Sequence, residues 1–274
     1  MTKMPFFFST SAAVLICLSP FAAKLQTITA SADKSWINRS NHYTQMLIDL
    51  DQKYSPEYGS SQGMAKYDTQ ISVPTLANQL AERKEEEALL TRYTNNLKIV
   101  KEAQVAQDLN ILISHLKLGF RQQDFRQKRQ VSFLNATSMI YDGLDILLDD
   151  QTPKGRHQAA VERIKKYAGM EKGYRPFTLI LQERVAQQIA GNNMIYPSKQ
   201  QMELDLSRNA SIINGIGELC EKYKLIGWQE PYAKLKQQVQ DYDQWVREHV
   251  LIKARTDFRM PPEEYALALE AYGV

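Results

Sequence analysis

From Trp36 onward, apolar residues recur three and four positions apart, and no stretch alternates apolar and polar as a half-buried strand does. That spacing gathers side chains along one face of an α-helix. The expected fold class is therefore all-α: a multi-helix bundle of long antiparallel helices. Ser35 to about Asp51 reads as a first helix, stopped by Tyr54-Ser55-Pro56. A loop rich in Ser, Gly and Tyr follows, from Ser55 to Pro74. Pro74 sits where a helix can begin, because its missing N–H would be unpaired there anyway. Leu76, Leu80, Leu90, Tyr93, Leu97 and Val100 then mark one long helix, and Val105, Leu109, Leu112, Leu116 and Phe120 a second. Together they predict an antiparallel hairpin.

Downstream, Thr152-Pro153 resembles an N-cap and first-turn proline opening a helix through about Ala168. Gly169 to Arg175 reads as a turn, with Pro176 starting the next helix, which ends near Gly191-Asn192-Asn193. Ser198-Lys199-Gln200-Gln201 fits a capping box. Behind it, Met202, Leu206, Ile213, Ile216 and Cys220 form one stripe. Tyr232, Leu235, Val239, Tyr242, Val246 and His249 or Val250 form another. The second stripe spans barely three heptads, which favours packing inside a multi-helix domain over a coiled coil.

The first 32 residues differ from the rest. They hold Lys3 and Lys24, no acidic residue, and an apolar stretch from Phe6 to Ala23. A basic start, an apolar segment and the small residues Ala30-Ser31-Ala32 before Asp33 make a secretory signal peptide. Pro20 leaves the stretch short for a membrane span of about 20 residues. A membrane is a partner only if the signal stays uncleaved. The expected organisation is a signal peptide over 1–32 and one helical domain over 33–274, exported to a periplasmic or extracellular location. Cleavage would remove Cys17, leaving Cys220 on the apolar side of a predicted helix as a buried thiol. A formal charge of only +3 in 274 residues gives no electrostatic reason to expect a nucleic-acid partner.

Motifs that carry chemistry are thin. His42, His115, His157 and His249 lie far apart, and none belongs to His-Glu-x-x-His, which sets two zinc ligands one helical turn apart. No Gly-x-Ser-x-Gly elbow and no Walker or Rossmann glycine pattern occurs. Asp142, Asp145, Asp149 and Asp150 lack the alternation and central glycine of a calcium loop and read as a solvated helix end. Glu85-Glu86-Glu87, beside Arg83 and Lys84, reads as a solvated face with local ion pairs. Arg121, Arg126, Lys128 and Arg129, interleaved with Phe120 and Phe125, suggest a helix terminus or a membrane-surface contact. Asn38, Asn135 and Asn209 each head a glycosylation sequon.

Two segments carry a family resemblance. The first is Tyr54-Ser55-Pro56-Glu57-Tyr58-Gly59, followed by Gly63 and Tyr67-Asp68. The second is Ala254-Arg255-Thr256-Asp257-Phe258-Arg259-Met260-Pro261-Pro262-Glu263-Glu264-Tyr265, running on to Ala271-Tyr272-Gly273-Val274. From Trp36 to Val274 the chain resembles the amino-terminal half of the bacterial proteins called domain of unknown function 885. The resemblance implies a larger helical zincin-like domain in an exported metallopeptidase or related hydrolase. The family's zinc motif, His-Glu-x-x-Pro-Gly-His-His, lies in its second half, past the point that corresponds to Val274. Zinc is thus implied only for that half, and no catalytic or metal-ligating residue is carried over to this chain.

The leading expectation is an exported helical amino-terminal portion, truncated before the zinc motif and inactive alone. Its partner would be a separate carboxy-terminal half or a peptide-like substrate. Tyr67, Asp68, Arg255, Asp257 and Arg259 are the candidate binding residues, in a cleft or at an interdomain contact; their structural alternative is holding loops and helix starts together. The competing expectation is a complete, non-enzymatic helical binding or scaffolding module. A complete domain should cover Tyr265, Leu267, Leu269 and Tyr272, whereas an incomplete one should leave them as an exposed apolar patch.

Overall fold

A computed structural model describes residues 35–273, so the signal-peptide reading of 1–32 lies outside the described residues. The described chain is all-α, as its periodicity predicts. Its helices are α1 (Ser35–Tyr54), α2 (Pro56–Ser61), α3 (Leu76–Leu97), α4 (Ala103–Arg129), α5 (Ala136–Asp145), α6 (Lys154–His157), α7 (Ala159–Tyr167), α8 (Phe177–Ile189), α9 (Lys199–Lys222), α10 (Gln229–His249) and α11 (Pro262–Ala271). Two 3-10 turns, Ala65–Tyr67 and Leu251–Lys253, complete the described set. Among the described residues, β-structure is limited to two isolated parallel bridges, Gln130 with Ile195 and Ser198 with Arg255. No described helix is long and apolar enough to cross a membrane.

Two hydrophobic cores organise these helices. The predicted hairpin of α3 and α4 packs with α1 into a three-helix bundle around Leu47, Leu89, Tyr93, Val105, Leu109 and Leu116. Tyr93 is completely buried, and its hydroxyl donates to the Tyr43 carbonyl at 2.6 Å, which lets a polar tip sit in an apolar core. The second, larger core gathers α5 and α7 to α10. There the predicted stripes close on each other: Met202, Leu206, Ile213, Ile216 and Cys220 from α9, and Leu235, Val239, Tyr242, Val246 and Val250 from the α10 region, are all buried. Val250, not the exposed His249, completes the second stripe. Burial pushes the Cys220 thiol up to about 12, consistent with an inert core residue.

Local details differ from the sequence reading where neighbours intervene. The 55–74 loop contains α2, which starts at Pro56 in the first turn, and the 3-10 turn. α3 begins after Thr75, whose hydroxyl accepts from the Asn78 amide at 3.1 Å, so Thr75 and not Pro74 sets the start. The helix opened by Pro153 breaks at Gln158 into α6 and α7, and the Thr152 hydroxyl donates to Ile146 instead of capping. The capping box at Ser198 does not form. The Lys199 amide donates to the Arg255 carbonyl at 2.9 Å, and Gln201 turns away to Asp205. Two of the sequon asparagines also look inward. The Asn135 amide donates to Asn209, which is 1% exposed, at 3.0 Å, and Asn209 donates to both oxygens of Asp243.

Candidate functional site

The sequence candidates fall into two separate constructions, and among the described residues no hydrogen bond or ion pair joins one to the other. Tyr67 and Asp68 belong to a buried polar knot that fastens the 55–74 connection to α5, α6 and α7. Asp68 is 4% exposed, and Arg156 from α6 grips it with two hydrogen bonds, 2.7 Å from Nε and 2.6 Å from Nη2. The Ser60 hydroxyl donates to the same carboxylate at 2.7 Å. Burial pushes the Asp68 carboxyl up, but the bonds from Arg156 and Ser60 outweigh it and hold it below the usual carboxylate range.

Around this pair the chain supplies a second layer. Arg163 of α7 is completely buried and donates to the Gly143 carbonyl and, at 3.1 Å, to the Tyr67 carbonyl. Burial pushes its guanidinium down, while Tyr167, Glu57 and Asp68 pull it back toward its ordinary range. Glu57 of α2 accepts from the Tyr167 hydroxyl at 2.8 Å and from the Ser72 amide at 2.9 Å. Two glycines make the close approach possible. A Cβ on Gly59 would lie 2.3 Å from the Tyr67 ring, and one on Gly143 would lie 2.2 Å from the Tyr167 hydroxyl. The connection is thus held by charge and hydrogen bonds where its Ser- and Gly-rich sequence supplies little apolar surface.

The second construction is a bracket made by residues 254–260. The Arg255 backbone bridges to the 197–199 segment, and its Nε donates to the Tyr196 carbonyl at 3.0 Å. Its Nη1 turns back onto the carbonyls of Asp257 and, at 2.5 Å, Arg259. Asp257 and Arg259 pair with each other on the surface at 3.0 Å, and the hydrogen bonds from Arg259 hold the Asp257 carboxyl low. The bracket borders a cleft of about 670 Å³, lined also by Gln130, Phe258, Met260 and Glu264. Phe258 is 71% exposed there, and Gln130 donates to Glu264 at 2.6 Å. The lining offers apolar contact and hydrogen bonding, the means of recognition.

Sequence reasoning missed the partners that give Asp68 its setting, because Arg156, Arg163 and Tyr167 lie far along the chain. It also misread Glu86. Glu85 pairs with Lys53 and Glu87 with Arg83, as a solvated face should. One Glu86 oxygen, however, is buried without a partner, and burial, then Glu82 and Asp51, push its carboxyl up to about 7. The basic patch at the end of α4 is largely neutralised by acidic residues of α11 and of α4 itself. Arg121 pairs with Glu270, Arg129 with Glu263 at 3.9 Å, and Lys128 with Asp124 at 3.2 Å. Among the described residues, no group of three or more His, Cys, Asp or Glu side chains is placed to hold a metal ion. No family model, no curated protein and no solved structure matches the chain.

Proposed function

We propose that this protein is exported and acts as a non-catalytic helical wall of a metallopeptidase-like assembly. In this reading it presents the bracketed cleft to a peptide-like ligand, while zinc and the general base come from a separate polypeptide or from the rest of a longer one. The observation that carries the reading is the position of the 254–265 segment. Residues that bear the family resemblance, Arg255, Phe258, Met260 and Glu264, line the 670 Å³ cleft, whose walls mix polar and apolar side chains. Support also comes from α11. It buries none of its residues, and it leaves Tyr265 54% and Tyr272 86% exposed, with Leu267 and Leu269 half-buried. A face of that kind suits contact with a partner polypeptide.

The test is a zinc-loading and peptide-cleavage assay on the purified chain from Asp33 onward. No cleavage and no stoichiometric zinc are expected. Turnover that a chelator abolishes would overturn the proposal. Fusing residues 1–40 to a reporter active only outside the cytoplasm examines export directly, with processing expected before Asp33. The alternative, a binding or scaffolding module without a catalytic partner, draws on the Tyr67–Asp68 knot, where Arg156 and Ser60 engage the Asp68 carboxylate inside the chain itself.

A further inference from the structure

Where the three-helix bundle meets the larger body, α3, α4, α5 and α8 border a second cleft of about 360 Å³, which shares only Ser132 with the first. Clefts at the junction of two cores are common ligand sites. Three ionisable side chains line this one without a counter-charge among the described residues: Arg184 from α8, Arg126 from α4 and Glu82 from α3. The Arg184 guanidinium donates only to neutral amide oxygens, those of Gln79 and, at 2.8 Å, Gln187. Burial alone pushes it below its ordinary range. Arg126 is the one member of the basic patch at the end of α4 whose side chain has no partner among the described residues. Glu82 accepts no hydrogen bond from them either; burial, then the charge of Asp51, push its carboxyl up.

A guanidinium that has lost part of its water without gaining a carboxylate is in a costly state, and an incoming anion relieves it. A half-buried carboxylate without a cation is the mirror case. Among the described residues no ion pair joins either arginine to Glu82, so both signs of charge line one cleft uncompensated. We infer that this seam cleft binds a small extended zwitterion, its carboxylate on Arg184 and Arg126, its ammonium on Glu82, and its middle against Leu134 and Met139. An α-amino acid carries both charges on one carbon, the shortest reach of any zwitterion of this kind. A dipeptide or an ω-amino acid carries them apart. Neither zinc nor a second polypeptide is needed, so the inference stands separately from the hydrolase reading.

The experiment is calorimetric titration of the full chain with dialanine, 6-aminohexanoate, alanine, N-acetyl-dialanine and dialanine amide. One equivalent of dialanine or 6-aminohexanoate is expected to bind, the tighter of the two assigning the ligand to peptides or to ω-amino acids, and alanine to bind far more weakly. Blocking either end should weaken binding about tenfold or more, the scale of one charge-assisted hydrogen bond. Arg184→Gln should remove the preference for a free carboxylate over the amide. Glu82→Gln should remove the preference for a free amine over the acetylated form. Arg126→Gln changes an exposed side chain, leaves the fold intact, and should weaken binding several-fold. Absence of saturable binding by both extended zwitterions at millimolar concentration, or binding indifferent to the Arg126 and Arg184 changes, would sink the inference.

Discussion

Glu86 is the residue whose environment most directly sets a pH response. Its carboxyl is pushed from an ordinary 4.5 up to about 7 by burial and by Glu82 and Asp51, with Arg83 opposing and Glu87 adding to the push. His115 of α4 faces the same group through Asp51. The folded chain therefore keeps a proton that the unfolded chain releases between those two values. The contribution of Glu86 to stability is fully present below about 4.5 and is lost as pH rises through about 7. Glu86→Gln should stabilise the protein at pH 8 by about 1–2 kcal/mol, after discounting for solvent, and should flatten the loss between pH 5 and 8. Urea unfolding at the two pH values reads this, and an unchanged difference would count against it. Asp68 runs the other way. Its lowered carboxyl contributes stability that is present above the ordinary carboxylate range and lost as pH falls into acid. Asp68→Ala leaves Arg156 without its carboxylate partner and removes one of the charges that sustain the buried Arg163, and should cost about 3 kcal/mol in the same measurement. Tyr67 and Asp68 were legible as special from the sequence, and holding a loop was one of its two readings, but their partners were not legible. Arg156 bonds Asp68 across 88 positions and Tyr167 bonds Glu57 across 110, distances at which local pattern carries no information.

At the scale of elements, legibility followed length. The stripes of α4, α9 and α10 repeat over several turns, so one misplaced residue does not hide them. In α3 the helix was legible but its core face was not, since Leu80 is 53% exposed and Leu89, outside the predicted stripe, is buried. α2 spans six residues, too few for a period to emerge, although Pro56 in its first turn was a usable start signal. Caps failed for another reason: the Lys199 amide, at the helix start that Ser198 would have capped, already donates to the Arg255 carbonyl. α11 shows what an element looks like when packing is weak. It rests on α4 through Arg121–Glu270 and Arg129–Glu263 and on the residue after it through Gln130–Glu264, and it has no buried residue. Contacts between exposed charges are screened by salt. In native-state hydrogen exchange, α11 amides should exchange well before those of α9 and α10, and raising the salt from 50 to about 500 mM should speed α11 selectively. Equal protection of α10 and α11, or no response to salt, would show that this helix is held by something other than charge.

The whole molecule, over its described residues, consists of two cores that share a seam, and nothing in the amino-acid pattern announces the division. The periodicity runs on from one core into the next, and no proline- or glycine-rich linker separates them. The fold class was nonetheless readable because all-α packing depends on a repeated local pattern. The seam depends on which faces meet, and that is settled by long-range contacts. Leu109 is completely buried in the three-helix bundle. Leu109→Ala should cost about 2–5 kcal/mol and raise hydrogen exchange in α1, α3 and α4 ahead of α7 and α9. Simultaneous loss of protection in all five helices would mean that the cores open only together. The polar knot has a different kind of consequence. Glu57, Asp68, Gly143, Arg156, Arg163 and Tyr167 constrain one another so closely that a change at one is harmful unless another changes with it. Among descendants of a common ancestor these six positions should therefore drift as a block, swapped jointly or kept jointly, while the solvent faces of the surrounding helices diverge freely.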